Sequence, residues 1–127
     1  MNPRLYIIMR EDIADMNPGK GMAQAAHAQA DFAAYAETRF NSEEFSSAYL
    51  LWTEDRNFGV TLVLGATLKE MHDIRTQVNH ADLTVDPTYP WRNWYGKMFA
   101  TEEVTCMWAF VWTDEELEYM KQYKLHQ

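Results

Sequence analysis

The sequence predicts an α/β fold in which helices cover both faces of a mixed four-stranded sheet, giving a three-layer α/β/α sandwich. Short apolar runs rich in β-branched residues alternate with longer stretches of helical periodicity, in the order β-α-α-β-α-β-β-α. At 127 residues the chain is long enough for one domain with a hydrophobic core. An apolar content of 47% indicates that this single domain, residues 1–127, is folded rather than disordered.

The predicted strands are four apolar runs at residues 5–9, 58–65, 83–85 and 104–112. Helices separate the first two runs, which predicts a parallel pair, and a loop separates the last two, which predicts an antiparallel pair. Pro87 and Pro90 are expected to end the third strand, because proline has no N–H to donate to a ladder. Residues 91–103 are therefore predicted to form a long loop.

The predicted helices cover residues 18–40, 42–52 and 68–79, and a last helix follows Thr113. Asn17 is the expected N-cap of the first helix, which is rich in alanine. Thr67 and Glu70 have the spacing of a capping box at the start of the third helix. Met22 and Phe32 are expected on the inner side of the first helix, where small alanines allow close packing against the sheet.

The net charge of −8 counts against broad, nonspecific nucleic-acid binding, because that binding depends on neutralising phosphates. A local basic patch remains compatible with this charge. The cations expected to gather at one end of the fold are Arg4, Arg10, Lys20, Arg92 and Lys97.

Cys106 is the single cysteine, so the chain has no internal disulfide, and a cytoplasmic location is predicted. Its position within an apolar run indicates a small core residue rather than a nucleophile.

The sequence contains no run of about 18 apolar residues, so no membrane span is predicted. The apolar run near the N-terminus is too short for a secretory signal.

Four polar residues of the first helix fall on one face: Lys20, Gln24, His27 and Asp31, at i, i+4, i+7 and i+11. A lysine in the first turn opposes the helix dipole, which makes sense if an anion such as phosphate binds there. The alternative is that Lys20, Gln24 and His27 simply face water, or that His27 is a hydrogen-bonded core residue. His27 and Asp31 lack a third ligand at a diagnostic spacing, so no metal site is predicted.

The predicted loop interleaves aromatic and basic residues: Trp91, Arg92, Trp94, Tyr95 and Lys97. Such a loop can bind nucleotides by stacking and by contact with phosphate. It can equally be a hydrophobic flap over the sheet, and the sequence leaves both interpretations open.

The start of the chain resembles the type 2 peptidyl-tRNA hydrolase family. A strand is followed by Arg10, Asp12, Ile13 and Met16, and then by the pattern Gly-Lys-x-x-Ala-Gln-x-x-His-Ala formed by Gly19, Lys20, Ala23, Gln24, His27 and Ala28. The family's Ala-Gly-x-Thr after the third strand is replaced here by residues 87–90, which read PTYP, and its Gly-Pro after the last strand is missing. The fold that the resemblance implies is the one predicted above.

The resemblance implies hydrolysis of the ester between a peptide, or an N-blocked amino acid, and tRNA, without a cofactor. The catalytic groups it implies are Lys20, Gln24, His27, Asp86 and Thr105, and the substrate-binding residues we expect are Arg10, Gly19, Arg92 and Lys97. In this hypothesis the lysine stabilises an oxyanion or binds phosphate, and the aspartate orients or activates water. The expected partner is peptidyl-tRNA or aminoacyl-tRNA.

Two further functions remain open at this stage. The acidic charge and the altered segment after Asp86 favour a catalytically inactive module that binds tRNA, nucleotides or protein on the same fold. Hydrolysis of a smaller nucleotide-linked ester or amide is the other. Convergence of Lys20, Gln24 and Asp86 on an open cleft with a basic rim would favour the hydrolase. A homodimer is also predicted as possible, because the aromatic second helix and the tryptophan-rich segment offer apolar surface.

Overall fold

The computed structural model describes residues 1–13, 16–54, 59–92 and 95–126, and for residues 88, 90–92 and 99–101 it describes the backbone only. In chain order the elements are β1 (Arg4–Arg10), α1 (Pro18–Glu37), α2 (Glu43–Glu54), β2 (Val60–Ala66), α3 (Leu68–Gln77), β3 (Ala81–Arg92), β4 (Met98–Val111) and α4 (Asp114–Met120). This is the predicted order of strands and helices. The predicted start of the second strand at Phe58 lies outside the described residues.

The four strands form one mixed sheet with the spatial order β2-β1-β4-β3. The first two strands are parallel, as predicted, with Ile7 opposite Val63. The last two are antiparallel, also as predicted, and β4 pairs antiparallel with β1 on its other side. The two central strands β1 and β4 therefore carry the core, and β2 and β3 are the edges.

Helices cover each face of the sheet, because the strand residues alternate between two hydrophobic clusters. The cluster under α1 and α2 contains Leu5, Ile7, Met9, Phe32, Phe45, Trp52, Trp108 and Phe110. The cluster under α3 and α4 contains Tyr6, Ile8, Met71, Ile74, Met107, Ala109, Val111 and Met120. The three-layer prediction is confirmed, and it places the polar stripe of α1 on the aromatic side of the sheet.

The last two strands are longer than predicted, and the prediction of a loop over residues 91–103 is wrong. Pro87 and Pro90 lie within β3, and the ladder to β4 continues past them to Arg92 opposite Met98. An edge strand tolerates proline because only one of its sides must pair. Register shifts between Thr84 and Val85, and again after Asp86, absorb the irregularity. The result is a β-hairpin that extends beyond the end of β1.

The helix boundaries agree closely with the predicted ones, and most of the predicted caps are present. The Asn17 side chain accepts from the N–H of Lys20 at 2.9 Å, and Thr67 with Glu70 forms the capping box. The first helix ends at Glu37, earlier than predicted. Met22 is 71% exposed, so the expectation that it faces the core is wrong.

The C-terminal residues cover the edge of β2. The backbone N–H of Gly65 donates to the carbonyl of Lys124 at 3.0 Å, and that of His126 donates to Val63 at 2.9 Å. The His126 ring lies 3.1 Å from the Glu11 carboxylate, which follows β1. Among the helices described here, none is both long and apolar enough to cross a membrane.

Candidate active site

Helix α1 and strand β3 run alongside each other and are joined by polar side chains. Three contacts link them: Lys20 Nζ lies 5.5 Å from the centroid of the Tyr89 ring, Gln24 Nε2 donates to Asp86 Oδ2 at 2.8 Å, and Thr84 Oγ1 donates to Asp31 Oδ2 at 2.8 Å. The numbers rise along α1 while they fall along β3, so the two elements are antiparallel. The stripe predicted from helical spacing therefore faces a single strand.

Gln24 is the most buried member of the stripe, and its side-chain amide is hydrogen-bonded through both the oxygen and the nitrogen. Its Oε1 accepts from the Thr105 hydroxyl at 2.5 Å, and its backbone carbonyl accepts from the Cys106 thiol at 3.0 Å. A carboxylate only accepts hydrogen bonds, so the NH₂ group must point at Asp86. Gln24 is only 3% exposed, and the alternative in which it faces water is wrong.

Asp86 lies half-buried at the floor of a groove with a volume of about 140 Å³. His27 and Asp31 form the helix side of this groove, and Pro87 lies on the strand side. His27 is exposed, so its interpretation as a core residue is wrong. The groove gives water access to the Asp86 carboxylate while Gln24 holds one of its oxygens.

Lys20 lies half-buried over the face of Tyr89, one helical turn before Gln24. Tyr89 is fully buried, and its hydroxyl donates to the sulfur of Met16 at 3.9 Å. A cation over an aromatic ring is held by the negative face of the ring. Gly19 is exposed beside Lys20, in the first turn of α1.

Arg10 joins the end of β1 to β4 and to the segment before α1. Its guanidinium donates to Asp12 at 2.9 Å, to Glu103 at 3.1 Å and to the carbonyl of Val104 at 3.0 Å, and its side chain is 14% exposed. Partial burial opposes ionisation of Asp12, but the hydrogen bonds from Arg10 and from the N–H of Leu68 outweigh it and lower the pKa of that carboxyl. The substrate-binding role of Arg10 stays a prediction. Its immediate surroundings are of mixed charge, because it pairs with both Asp12 and Glu103.

The other predicted cations do not all lie at this end. Arg4 is six residues before Arg10 on β1, about 20 Å away at 3.3 Å per residue, so its predicted place in the patch is wrong. Lys97 is exposed in the hairpin. Arg92 ends β3, and its side chain lies outside the described residues, as do that of Trp91 and the whole of Trp94. The choice between a stacking surface and a flap stays open.

Cys106 is a buried core residue, as predicted. Burial raises the pKa of its thiol to about 11, so it is protonated near neutral pH.

Across residues 1–13, 16–54, 59–92 and 95–126, no three His, Cys, Asp or Glu side chains converge as a metal site would require.

Sequence reasoning missed Tyr89, Thr84 and the contact made by Met16. Tyr89 was overlooked because the strand was expected to end before Pro87, which would have separated it from the helix. An aromatic residue between two prolines was the available signal. Thr84 carried no signal, since only the packing of α1 against β3 brings it to Asp31.

The chain is similar to a known protein family. The family model described as peptidyl-tRNA hydrolase PTH2 matches residues 4–123 of the 127. No curated protein matches the chain. The matched range contains every predicted site residue.

Proposed function

The chain belongs to the PTH2 peptidyl-tRNA hydrolase family, and we propose that it cleaves the ester between a peptide, or an N-blocked amino acid, and tRNA. The observation that carries this proposal is the buried connection from Thr105 through Gln24 to Asp86. It joins three residues of the proposed catalytic set from three different elements. Lys20 lies one turn away, on the same side of α1.

Asp86 is the proposed general base. A water molecule in the groove attacks the ester carbonyl carbon and passes a proton to the carboxylate. The bond from carbon to the ribose oxygen then breaks, and that oxygen takes the proton as it leaves. The products are a free peptide acid and a tRNA with a free ribose hydroxyl. Gln24 and Thr105 act as positioning residues, because each bond they make restricts where the Asp86 carboxylate points.

Lys20 is the proposed electrostatic group. Its ammonium stabilises the negative charge that develops on the carbonyl oxygen, or binds the terminal phosphate of the tRNA. His27, exposed at the same groove, is a second proton carrier in this scheme, because the ring nitrogens of an imidazole can accept and donate a proton.

The charge of the molecule limits how the tRNA is held. The chain carries −8 overall, Asp31 lines the same groove as Asp86, and Glu103 pairs with Arg10. Arg10 is ion-paired with Asp12 and Glu103. Binding therefore depends on a few local contacts, from Gly19, Lys20, Lys97 and Arg92 in this proposal, and we expect an affinity that falls with salt but with a shallow slope.

The test is release of free tRNA from N-acetyl-aminoacyl-tRNA by the wild type and by Lys20→Ala. Lys69→Ala is the matched control, because it removes an exposed lysine on α3, across the sheet. We expect cleavage by the wild type and the control and a loss of at least about 100-fold in Lys20→Ala. Equal cleavage by all three would keep the function but remove Lys20 from the site.

The alternatives have their own outcomes in the same assay. Failure of the wild type to cleave, with retained binding of tRNA in a filter assay, would favour the inactive binding module. Failure to cleave or bind tRNA, with hydrolysis of an aminoacyl ester of a mononucleotide, would favour the smaller substrate. The predicted cytoplasmic location is compatible with each of these.

A homodimer is part of the proposal. Phe40, Leu50 and Leu51 are large apolar residues exposed on and beside α2, away from the groove. We expect sedimentation to give a concentration-dependent dimer that Leu51→Glu weakens. A monomer at every concentration would contradict it.

A further inference from the structure

An apolar groove lies on the other flank of the first turns of α1. Its volume is about 330 Å³, and its lining residues are Met9, Met16, Asn17, Pro18, Gly21, Met22, Ala25, Val63 and His126. The floor comes from β1 and β2, one wall from α1, and the other from the C-terminal residues that cover β2. The proposed mechanism uses none of these residues.

The lining of this groove is chemically selective. Among the described residues that line it, three are methionines, none is Asp, Glu, Lys or Arg, and one is a histidine, His126. Met22 is 71% exposed and Val63 is 37% exposed, so apolar surface is left open to water. Methionine is flexible and polarisable, which lets such a groove adapt to differently shaped apolar groups.

The groove is linked to the candidate active site through Met16. Met16 lines the groove and accepts the hydrogen bond of the Tyr89 hydroxyl, and Tyr89 lies beneath Lys20. Lys20 and Gly21 are successive residues of α1, about 100° apart around the helix axis, so they face its two flanks. A substrate that reaches the Lys20 side can therefore extend across the N-terminal turn of α1 into the groove.

We propose that this groove binds an apolar side chain of the peptide part of the substrate, two or three residues before the ester. The inference rests on the proposed function. A helix is about 10 Å across and an extended peptide spans about 3.3 Å per residue, so about three residues cross the turn. An acidic or basic side chain at that place loses its water against a mainly apolar lining, and the imidazole of His126 already lies against the Glu11 carboxylate. The groove therefore rejects such a side chain.

The experiment compares two substrates and three enzymes. The substrates are N-acetyl-Leu-Gly-Gly-tRNA and N-acetyl-Asp-Gly-Gly-tRNA, and the enzymes are the wild type, Met22→Glu and Ala33→Glu. Both substitutions place a glutamate at an exposed apolar position of α1, but Ala33 lies about three turns after Met22, beyond the groove. We expect kcat/KM of the wild type and of Ala33→Glu to favour the leucine substrate by about tenfold or more, and Met22→Glu to lose that preference.

N-acetyl-Gly-tRNA is the length control, because it is too short to reach the groove. All three enzymes are expected to cleave it at the same rate. Equal rates on the two longer substrates in the wild type, or a preference that survives in Met22→Glu, would overturn the proposal.

Failure of the hydrolase function itself is distinguished by a binding measurement. If the wild type cleaves no substrate, N-acetyl-Leu-Gly-Gly-amide is titrated and followed by amide NMR. Shifts at Gly21 and Ala25 that Met22→Glu abolishes, and that the aspartate analogue does not produce, would support the groove as a peptide site. Absence of those shifts would show that the groove is not a peptide site.

Discussion

The N-terminal half of α1 contacts β3 and β4 through polar side chains, whereas its C-terminal half, apart from the bond between Asp31 and Thr84, contacts the sheet and α2 through aromatic ones. In the first half, Gln24 is bonded to Thr105 and Asp86. In the second, the Phe32 ring lies 5.2 Å from that of Trp108. Each set is buried against the same sheet face, but the first holds a solvent-accessible carboxylate and the second holds the layers together.

The difference teaches where this chain can be changed without loss of structure. Buried aromatic packing contributes mainly to stability, because large apolar areas leave water there. A polar connection contributes less to stability but fixes geometry, since each bond has one productive direction. Substitutions in the two halves should therefore separate activity from folding.

The largest expected effect is at Asp86. In Asp86→Asn the side chain keeps its shape but loses the charge that accepts a proton, so kcat for ester hydrolysis should fall by about 10²–10⁴-fold. The midpoint of urea unfolding should change little. Asp82→Asn is the control, because Asp82 is an exposed residue of the same strand that pairs with Arg75 and accepts from the N–H of Leu83. A comparable loss of kcat in Asp82→Asn would show that the effect is not specific to Asp86.

The next effect is at Phe32, in the aromatic half. Phe32→Ala leaves a cavity among Trp52, Trp108 and Phe110, and we expect a loss of about 3–5 kcal/mol in the free energy of unfolding. Urea denaturation measures it. At a temperature where the variant is folded, kcat/KM per folded molecule should match the wild type. Phe40→Ala, at an exposed aromatic position, should cost much less.

The smallest effect concerns His80, whose ring packs against Tyr35 in the aromatic half of α1. Its ring stacks on Trp112 and its Nδ1 lies 2.5 Å from the Tyr35 hydroxyl. Burial, and then the nearby Arg39, lower the pKa of His80 below its usual 6.5. The unfolded chain therefore binds more protons below pH 6.5, and stability should fall as the pH drops through that value.

Urea midpoints at pH 7.5 and pH 5.5 measure this effect. The decrease between the two should be smaller in His80→Phe than in the wild type, because the variant has no imidazole at that place. His72→Gln is the control, since His72 is exposed on α3, and it should behave as the wild type does. Equal decreases in all three proteins would assign the pH dependence to other groups.

The features of the fold that depend on local signals were predictable from the sequence. The cap at Asn17, the capping box of α3 and the stripe on α1 are each encoded within one or two helical turns. His80 was not predictable in the same way. No local pattern marks it for burial, but the packing of α1, α2 and the end of β4 half-buries it among aromatic rings.

The limits of the site prediction have the same origin. Whether Pro87 ends a strand depends on its place in the sheet, and the sequence does not state that β3 is an edge. Tyr89 and the groove at Met22 follow from that placement and from the cover over β2. Lys20, Gln24 and Asp86 were predicted through the family resemblance, whereas the hydrogen bond between Gln24 and Asp86 is seen only in the structure.

The prolines of β3 also affect how copies of this protein meet one another. A free strand edge with a full row of N–H donors is a template on which another chain can add a strand and aggregate. Pro87 and Pro90 interrupt the row of N–H donors in the edge strand β3, and the C-terminal residues cover the opposite edge at Val63 and Gly65. The sheet therefore resists growth by strand addition at each side.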